Sequence, residues 1–161
     1  MTVSTDDQIK HAWSVLCRGS STDQDTKTIS LFNCIERINL DQEQITASQA
    51  KHGQDYIIIP FGFELVTLWW REQVDSQIST TLKIGLLDPG EKVLFSKEYP
   101  LLFAVGKRRV RIRAKMNDLK IGPAGTYRFR LYLKQPQQNR FQVAAEVPLE
   151  VVLVDLQSAK Q

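Results

Sequence analysis

Residue types that build catalytic and metal centres are scarce in this chain of 161 residues, which has two cysteines and two histidines. The spacing of Cys17, Cys34, His11 and His52 does not match a zinc-binding pattern. Neither histidine stands beside a serine or cysteine motif that indicates an activated nucleophile. The sequence therefore predicts no metal, no cofactor and no catalytic residue, and we do not expect an enzyme.

Long hydrophobic segments are absent as well. The longest apolar runs, such as residues 56–61, are far shorter than a membrane helix, which needs about 20 residues. The first ten residues include Asp6 and Asp7 and lack the apolar centre of a secretion signal. These absences indicate neither secretion nor membrane insertion. We expect residues 1–10 to form a flexible N-terminal tail.

The two cysteines lie in separate strand-like runs. A simple hairpin centred on the polar loop 18–27 would place Cys17 near Thr28 and not near Cys34. A reducing cytoplasm also disfavours disulfides. We therefore expect two buried free thiols that behave as small core residues, with a disulfide as the less favoured alternative.

What the chain does contain is a series of alternating apolar and polar residues. In one run Val110, Ile112 and Ala114 alternate with basic residues, and residues 127–134 show the same period of two. Helical periodicity is nearly absent. The hydrophobic content of 42% with 24% charged residues is typical of one globular domain. This pattern predicts a single-domain, all-β antiparallel sandwich over residues 11–154, followed by a C-terminal tail over residues 155–161.

About eight strands are predicted, at residues 11–17, 28–38, 56–71, 81–87, 92–97, 109–115, 127–134 and 141–154. The strand at 56–71 is the most apolar, and we expect it in a central position with a bend at Pro60 and Gly62. The next two strands are joined by a turn in which Pro89 presets one dihedral angle and Gly90 supplies a positive φ. The polar segment 41–51 is either a short surface helix or a loop, and it is expected to connect the two sheets.

The segment around Tyr127 resembles the E to F corner of immunoglobulin-like domains, in which Gly-x-Tyr opens a strand. The resemblance implies an immunoglobulin-like sandwich in which the Tyr127 hydroxyl bonds to the backbone near residues 119–122. It also implies that the strands before and after the corner belong to different sheets. Phe129 occupies the position of the second cysteine of true immunoglobulin domains, so no inter-sheet disulfide is expected there.

A wider resemblance connects this chain with a group of short, uncharacterised bacterial β-sandwich proteins. The matching segments are residues 11–17, 60–70, 86–90, 125–131 and 147–151, which include the motifs LLDPG, GTY-x-F-x-L and VPLEV. These residues form turns and core, so the resemblance implies a β-sandwich and a bacterial cytoplasmic setting but no functional site.

Basic residues are concentrated in one part of the chain. Residues 107–134 carry ten basic side chains and one acidic side chain, a net charge of +9 against −6 for the remainder. The candidates for binding a nucleic acid or another polyanion are Arg109, Arg111, Arg113, Arg128 and Arg130. The favoured alternative is a solvated surface on which acids such as Glu64, Glu72, Glu146 and Glu150 pair with these arginines.

Trp69 and Trp70 are the candidates for contact with a protein partner or for self-association, and an unprotected edge strand is the alternative surface for the same contact. Adjacent residues of a strand point to opposite faces, so both tryptophans cannot enter one core. The alternative is that loops of the protein itself cover this strand.

Loop carboxylates give two weaker hypotheses. Asp23, Asp25 and Asp88 lack the spacing of a calcium loop and are expected to form turns. A hydrolase that uses carboxylates such as Glu64 and Glu72 has no supporting motif. The predicted function is therefore a non-catalytic protein-interaction or accessory module, with polyanion binding as the first alternative and hydrolysis as the second.

Overall fold

The computed structural model of the protein describes residues 9–53 and 55–155, and within these residues it contains nine strands and one helix. In chain order they are β1 (Lys10–Thr22), β2 (Ile29–Cys34), β3 (Arg37–Asp41), α1 (Gln42–His52), β4 (Ile57–Trp70), β5 (Ile78–Leu87), β6 (Val93–Phe103), β7 (Arg109–Ile121), β8 (Gly125–Lys134) and β9 (Phe141–Val154). They form two sheets around one core, which confirms the predicted single-domain β-sandwich.

Sheet A has the strand order β2-β1-β4-β7, and sheet B has the order β3-β9-β8-β5-β6. Every neighbouring pair is antiparallel except β3 and β9, which run parallel. The expectation of one strand over residues 28–38 is wrong, because the chain leaves sheet A after Cys34 and enters sheet B at Arg37. This crossover explains why the described residues contain nine strands and not eight.

The core lies between the two sheets. Leu65 and Trp69 of β4 have no exposed surface, and neither have Leu82, Ile84 and Phe129 of sheet B. Successive side chains of a strand point to opposite faces, so the period of two seen in the sequence sends every second residue into this layer. Alternation therefore predicted the core face of β8 correctly.

The segment after β3 is a helix, which decides between the two sequence-based alternatives. The Asp41 side chain accepts a hydrogen bond from the Glu43 N–H and begins α1, and Gly53 at φ 59° ends it. Ile45 is the helix residue that enters the core. As predicted, the segment connects the two sheets. Among the described residues no helix has the length and apolar character needed to cross a membrane.

β4 lies between β1 and β7, which confirms its predicted central position. The pairing of β4 with β7 changes register between Pro60 and Phe63. Proline has no N–H for the ladder, and a bulge at this point bends the strand. The predicted bend at Pro60 and Gly62 is therefore present.

The turn between β5 and β6 forms as predicted, with one difference in its backbone. The Glu91 N–H donates to the Asp88 carbonyl oxygen over 2.9 Å and closes the turn. Glu91, at φ 68°, has the positive φ that the sequence assigned to Gly90. In hairpins of this kind the turn is followed by one residue with a positive φ, after which the two strands pair again. Here that residue is Glu91, one position later than the sequence predicts.

The tyrosine corner is present between β7 and β8. The buried Tyr127 hydroxyl accepts a hydrogen bond from the Gly122 N–H over 2.9 Å and donates to the Pro123 carbonyl oxygen over 2.7 Å. A Cβ at Gly122 would lie 2.6 Å from the Tyr56 ring, so only glycine fits there. β7 lies in sheet A and β8 in sheet B, as the resemblance implied.

Ile9 and Lys10, which the sequence assigns to the tail, pack against the sandwich. Ile9 is buried, and its backbone N–H and carbonyl both bond to the Gln135 side chain. Lys10 already pairs with Trp70 in sheet A. The remaining parts of the predicted tails, residues 1–8 and 156–161, lie outside the described residues.

Candidate protein-binding groove

A groove of about 380 Å³ opens between β6 and β7, which are the last strands of sheet B and sheet A on the same side of the sandwich. Phe63, Leu86 and Phe129 form its floor, and each is at least 96% buried. Ile58 and Phe95 stand at its rim with 68% and 37% of their surface exposed. Exposed apolar residues beside a groove are typical of a binding site.

Three lysines surround this apolar groove. Lys97, Lys115 and Lys120 line it together with one acid, Asp118. Within residues 9–53 and 55–155, none of the three lysines forms an ion pair with a carboxylate. The groove therefore combines an apolar floor with a net positive rim.

Both walls of the groove are sheet edges. Within the part of the chain that the structure describes, β6 pairs only with β5 and β7 pairs only with β4, so one side of each strand has backbone N–H and carbonyl groups without a ladder partner among these residues. Such an edge can accept a further strand from another chain. Pro100 blocks this on β6, but it lies beyond the part of that strand that lines the groove.

The two candidate tryptophans have different environments. Trp69 is fully buried, and its indole meets the His11 ring edge to face at 5.1 Å. Trp70 is half-buried, and the Lys10 ammonium lies 4.7 Å from the centre of its ring. Of the pair, only Trp70 presents surface, so a partner contact at this position stays a prediction for Trp70.

The candidate arginines of β7 lie on sheet A. Arg109, Arg111 and Arg113 are paired in register with Trp70, Leu68 and Val66 of β4. Arg113 bonds to the Glu64 carboxylate at 3.2 Å, which is the charge pairing that the sequence analysis favoured. Arg113 also donates to the Ser20 carbonyl oxygen at 3.0 Å.

The candidate arginines of β8 belong to sheet B. Arg130 donates to Glu146 over 2.5 Å and lies 3.6 Å from Glu91, and Arg128 contacts the same two carboxylates. The two cations are therefore neutralised by two anions. The five candidate arginines do not form one basic surface, because β7 and β8 belong to opposite sheets.

The loop carboxylates have structural partners. Asp23 accepts hydrogen bonds from the Asp25 and Thr26 N–H groups, as expected for a turn-forming aspartate. Asp88 accepts from the Tyr56 hydroxyl at 2.5 Å and from the Lys92 N–H at 2.8 Å. In the part of the chain that the structure describes, no three His, Cys, Asp or Glu side chains come together as a metal site would require.

His11 lies in β1 and takes part in a chain of hydrogen-bonded side chains. Its Nε2 lies 2.7 Å from the Ser14 hydroxyl, which donates to the Thr67 hydroxyl at 2.7 Å. The β-bulge between His11 and Trp13 creates this proximity, and the sequence does not reveal it. Burial lowers the pKa of His11. Because Thr67 is fully buried, this is a chain of hydrogen bonds inside the sandwich. The His52 side chain lies outside the described residues.

Asp88 gives the molecule a predicted pH dependence. The hydrogen bond from the Tyr56 hydroxyl holds the pKa of the Asp88 carboxyl below its usual range and raises the pKa of Tyr56 to about 12. A carboxyl with a lowered folded-state pKa stabilises the fold above its unfolded pKa of about 4, and this contribution is lost as the pH falls through the folded-state value. Asp88→Asn should therefore destabilise the protein by about 1 kcal/mol near pH 7.

The measurement is urea unfolding of wild type and Asp88→Asn at several pH values. The difference in free energy of unfolding should shrink as the pH falls to about 3, because protonated Asp88 resembles asparagine. Asp75→Asn, at an exposed position, is the matched control and should show a small difference at every pH. A difference at Asp88 that does not change with pH would contradict the prediction.

The groove was not found from the sequence. Lys97, Lys115 and Lys120 lie on two strands that are not neighbours in either sheet, and no local pattern joins them. The only available signal was the run of three apolar residues at positions 93–95 of β6, which places apolar side chains on both faces of the strand. Comparison of the chain with protein-family models and with curated proteins gives no significant match.

Proposed function

We propose that this protein is a non-catalytic protein-binding module and that the groove between β6 and β7 binds an extended segment of a partner protein. The observation that carries the proposal is the meeting of two free sheet edges over an apolar floor with a lysine rim. A strand added to an edge gains backbone hydrogen bonds, and pockets for alternate side chains provide specificity.

The chemistry of the groove defines the partner segment. In an extended segment alternate side chains point in opposite directions. Apolar side chains would enter the space above Phe63 and Phe129, and acidic side chains would lie near Lys115 and Lys120. We therefore expect a segment in which apolar and acidic residues alternate.

The groove supports this proposal better than the two surfaces suggested by the sequence. Trp69 has no exposed surface, and the Trp70 ring is partly covered by Lys10. Polyanion binding needs several cations on one surface, but Arg113 and Arg130 lie on different sheets and each is bonded to a glutamate.

We also propose that the module acts in the bacterial cytoplasm as one of the short β-sandwich proteins that it resembles. The motifs over residues 86–90 and 125–131 support this setting.

Selection of short random peptides displayed on phage tests the proposed function. The selected peptides should alternate apolar and acidic residues, and fluorescence anisotropy should then show saturable binding of the free peptide. The double variant Lys115→Glu/Lys120→Glu should weaken this binding at least about tenfold, which corresponds to about 1.4 kcal/mol. The two introduced glutamates would repel the acidic side chains of the peptide, and the hydrophobic core of the protein would be unchanged.

Lys51→Glu/Lys107→Glu is the matched control, since it changes the net charge equally at exposed positions away from the groove. It should bind the peptide like wild type. Equal binding to the two double variants would overturn the proposed groove. So would equally tight binding of a single-stranded oligonucleotide at about 0.15 M salt, which would favour the polyanion alternative.

A further inference from the structure

The two cysteines face each other across β1 and β2. The register pairs Cys17 directly with Cys34. This corrects the expectation that Cys17 lies near Thr28. β1 continues to Thr22, so the turn occupies residues 23–28 and its centre is later than that of the predicted loop 18–27.

The backbone hydrogen bonds identify the type of pair. The Ile35 N–H donates to the Leu16 carbonyl oxygen over 2.8 Å. In an antiparallel ladder, a bond between the residue after Cys34 and the residue before Cys17 makes the two cysteines a non-hydrogen-bonded pair. Side chains approach each other most closely at such pairs.

The geometry of this pair suits a covalent link. The Cα atoms of non-hydrogen-bonded pairs are about 4.5 Å apart, which lies within the range of about 4.4–6.8 Å found for disulfides. Both side chains point to the same face of sheet A, because directly opposed residues share a face. A disulfide between Cys17 and Cys34 therefore requires no change of register.

The two thiols differ in access to solvent. Cys34 is exposed, so the expectation of a buried thiol is wrong for this residue, whereas Cys17 has no exposed surface. A soluble oxidant therefore reaches Cys34 first, and Cys17 is placed to react with Cys34 from inside the protein. An exposed cysteine beside a resolving cysteine is the arrangement found in redox-sensitive proteins.

We propose that Cys17 and Cys34 form a reversible cross-strand disulfide by exchange with a low-molecular-weight disulfide. The Cys34 thiolate attacks one sulfur of that disulfide, the sulfur–sulfur bond breaks, and one thiol leaves. The Cys17 thiolate then attacks the Cys34 sulfur and releases the second thiol. The protein loses two electrons and two protons, and the small disulfide is reduced to two thiols.

The disulfide would link the edge strand β2 covalently to β1 in sheet A. Among the strands that the structure describes, β2 is an edge strand that pairs only with β1, and most of its residues are exposed. Directly after Cys34 the chain crosses to β3 in sheet B. The link would therefore fix the start of this crossover to β1, and reduction would release it.

The test treats the folded, full-length protein with oxidised glutathione and maps the products by mass spectrometry under non-reducing conditions. Wild type should give one monomeric species in which the peptides that contain Cys17 and Cys34 are linked. Burial raises the pKa of the Cys17 thiol, so ring closure should become faster as the pH rises above about 8.

Two variants separate the steps. Cys17→Ala should stop at one glutathione on Cys34, and Cys34→Ala should stay unmodified while folded. The proposal is overturned if wild type stops at the glutathione adduct, if it forms dimers through Cys34, or if the link appears only in denaturant. The disulfide-linked product of the wild-type protein tests the proposal even if the Cys17→Ala substitution disturbs folding.

Discussion

Arg71→Ala is expected to lower the free energy of unfolding by about 3 kcal/mol. Arg71 is 1% exposed and lies directly after β4. Its Nε donates to the Lys107 carbonyl oxygen at 3.0 Å and its Nη2 to that of Ala104 at 2.9 Å. Alanine would remove both bonds and leave a cavity beside Phe103, whose ring lies 5.3 Å from the guanidinium carbon.

The magnitude follows from competing effects. Burial of a guanidinium is costly, and among the described residues Arg71 Nη1 has no hydrogen-bond partner. Against this cost stand two hydrogen bonds from a charged donor, each of which contributes about 1.5–3 kcal/mol. These bonds also hold the β6–β7 loop, residues 104–108, against the end of β4. We therefore expect a net loss, smaller than the sum of the two bonds.

Urea unfolding at neutral pH measures the effect of Arg71→Ala. Arg71→Lys should give an intermediate loss, because an ammonium cannot span two carbonyls as the planar guanidinium does. Arg108→Ala is the control at an exposed neighbouring position and should change the free energy by less than about 0.5 kcal/mol. A stability of Arg71→Ala equal to that of the control would show that the buried guanidinium does not hold the loop.

Tyr127→Phe is expected to lower the free energy of unfolding by about 2 kcal/mol. The substitution removes one oxygen and leaves the buried Gly122 N–H without its acceptor. It also removes the donor to the Pro123 carbonyl oxygen. An unpaired buried donor costs its full desolvation free energy, so the loss exceeds that of an exposed hydrogen bond.

Thermal and urea unfolding test the tyrosine corner. For a domain of this size, the expected loss lowers Tm by about 5 °C. Tyr99→Phe is the matched control, because the Tyr99 hydroxyl forms no hydrogen bond with the residues that the structure describes and the ring is half-buried. A Tyr127→Phe protein as stable as Tyr99→Phe would mean that water replaces the lost acceptor at Gly122.

The tyrosine corner and the turn at residues 88–91 are local features that the sequence predicts. Both are set by residues within a few positions of each other, so the sequence predicts them well. The resemblance at the corner also implied that the arginines of β7 and those of β8 lie on different sheets, as they do. The positive φ at Glu91 and not at Gly90 was missed, because the bulge that follows the turn depends on the pairing of β5 with β6.

The strand over residues 28–38 shows where local pattern fails. Apolar residues occur on both sides of the point at which the chain leaves sheet A, so the distribution of apolar residues alone does not reveal the break at residues 35–36. The parallel pairing of β3 with β9 joins segments more than a hundred residues apart. The contact of Cys17 with Cys34 likewise depends on the register of two strands.

The sequence by itself determined the all-β class, the core face of β8 and the tyrosine corner, because side-chain alternation and turn chemistry are local properties. Only the tertiary structure decided which strands end each sheet, and therefore that β6 and β7 border one groove. It also decided that Arg71 is buried and that Cys17 meets Cys34. Edges, registers and burial depend on contacts between distant segments, which no local pattern specifies.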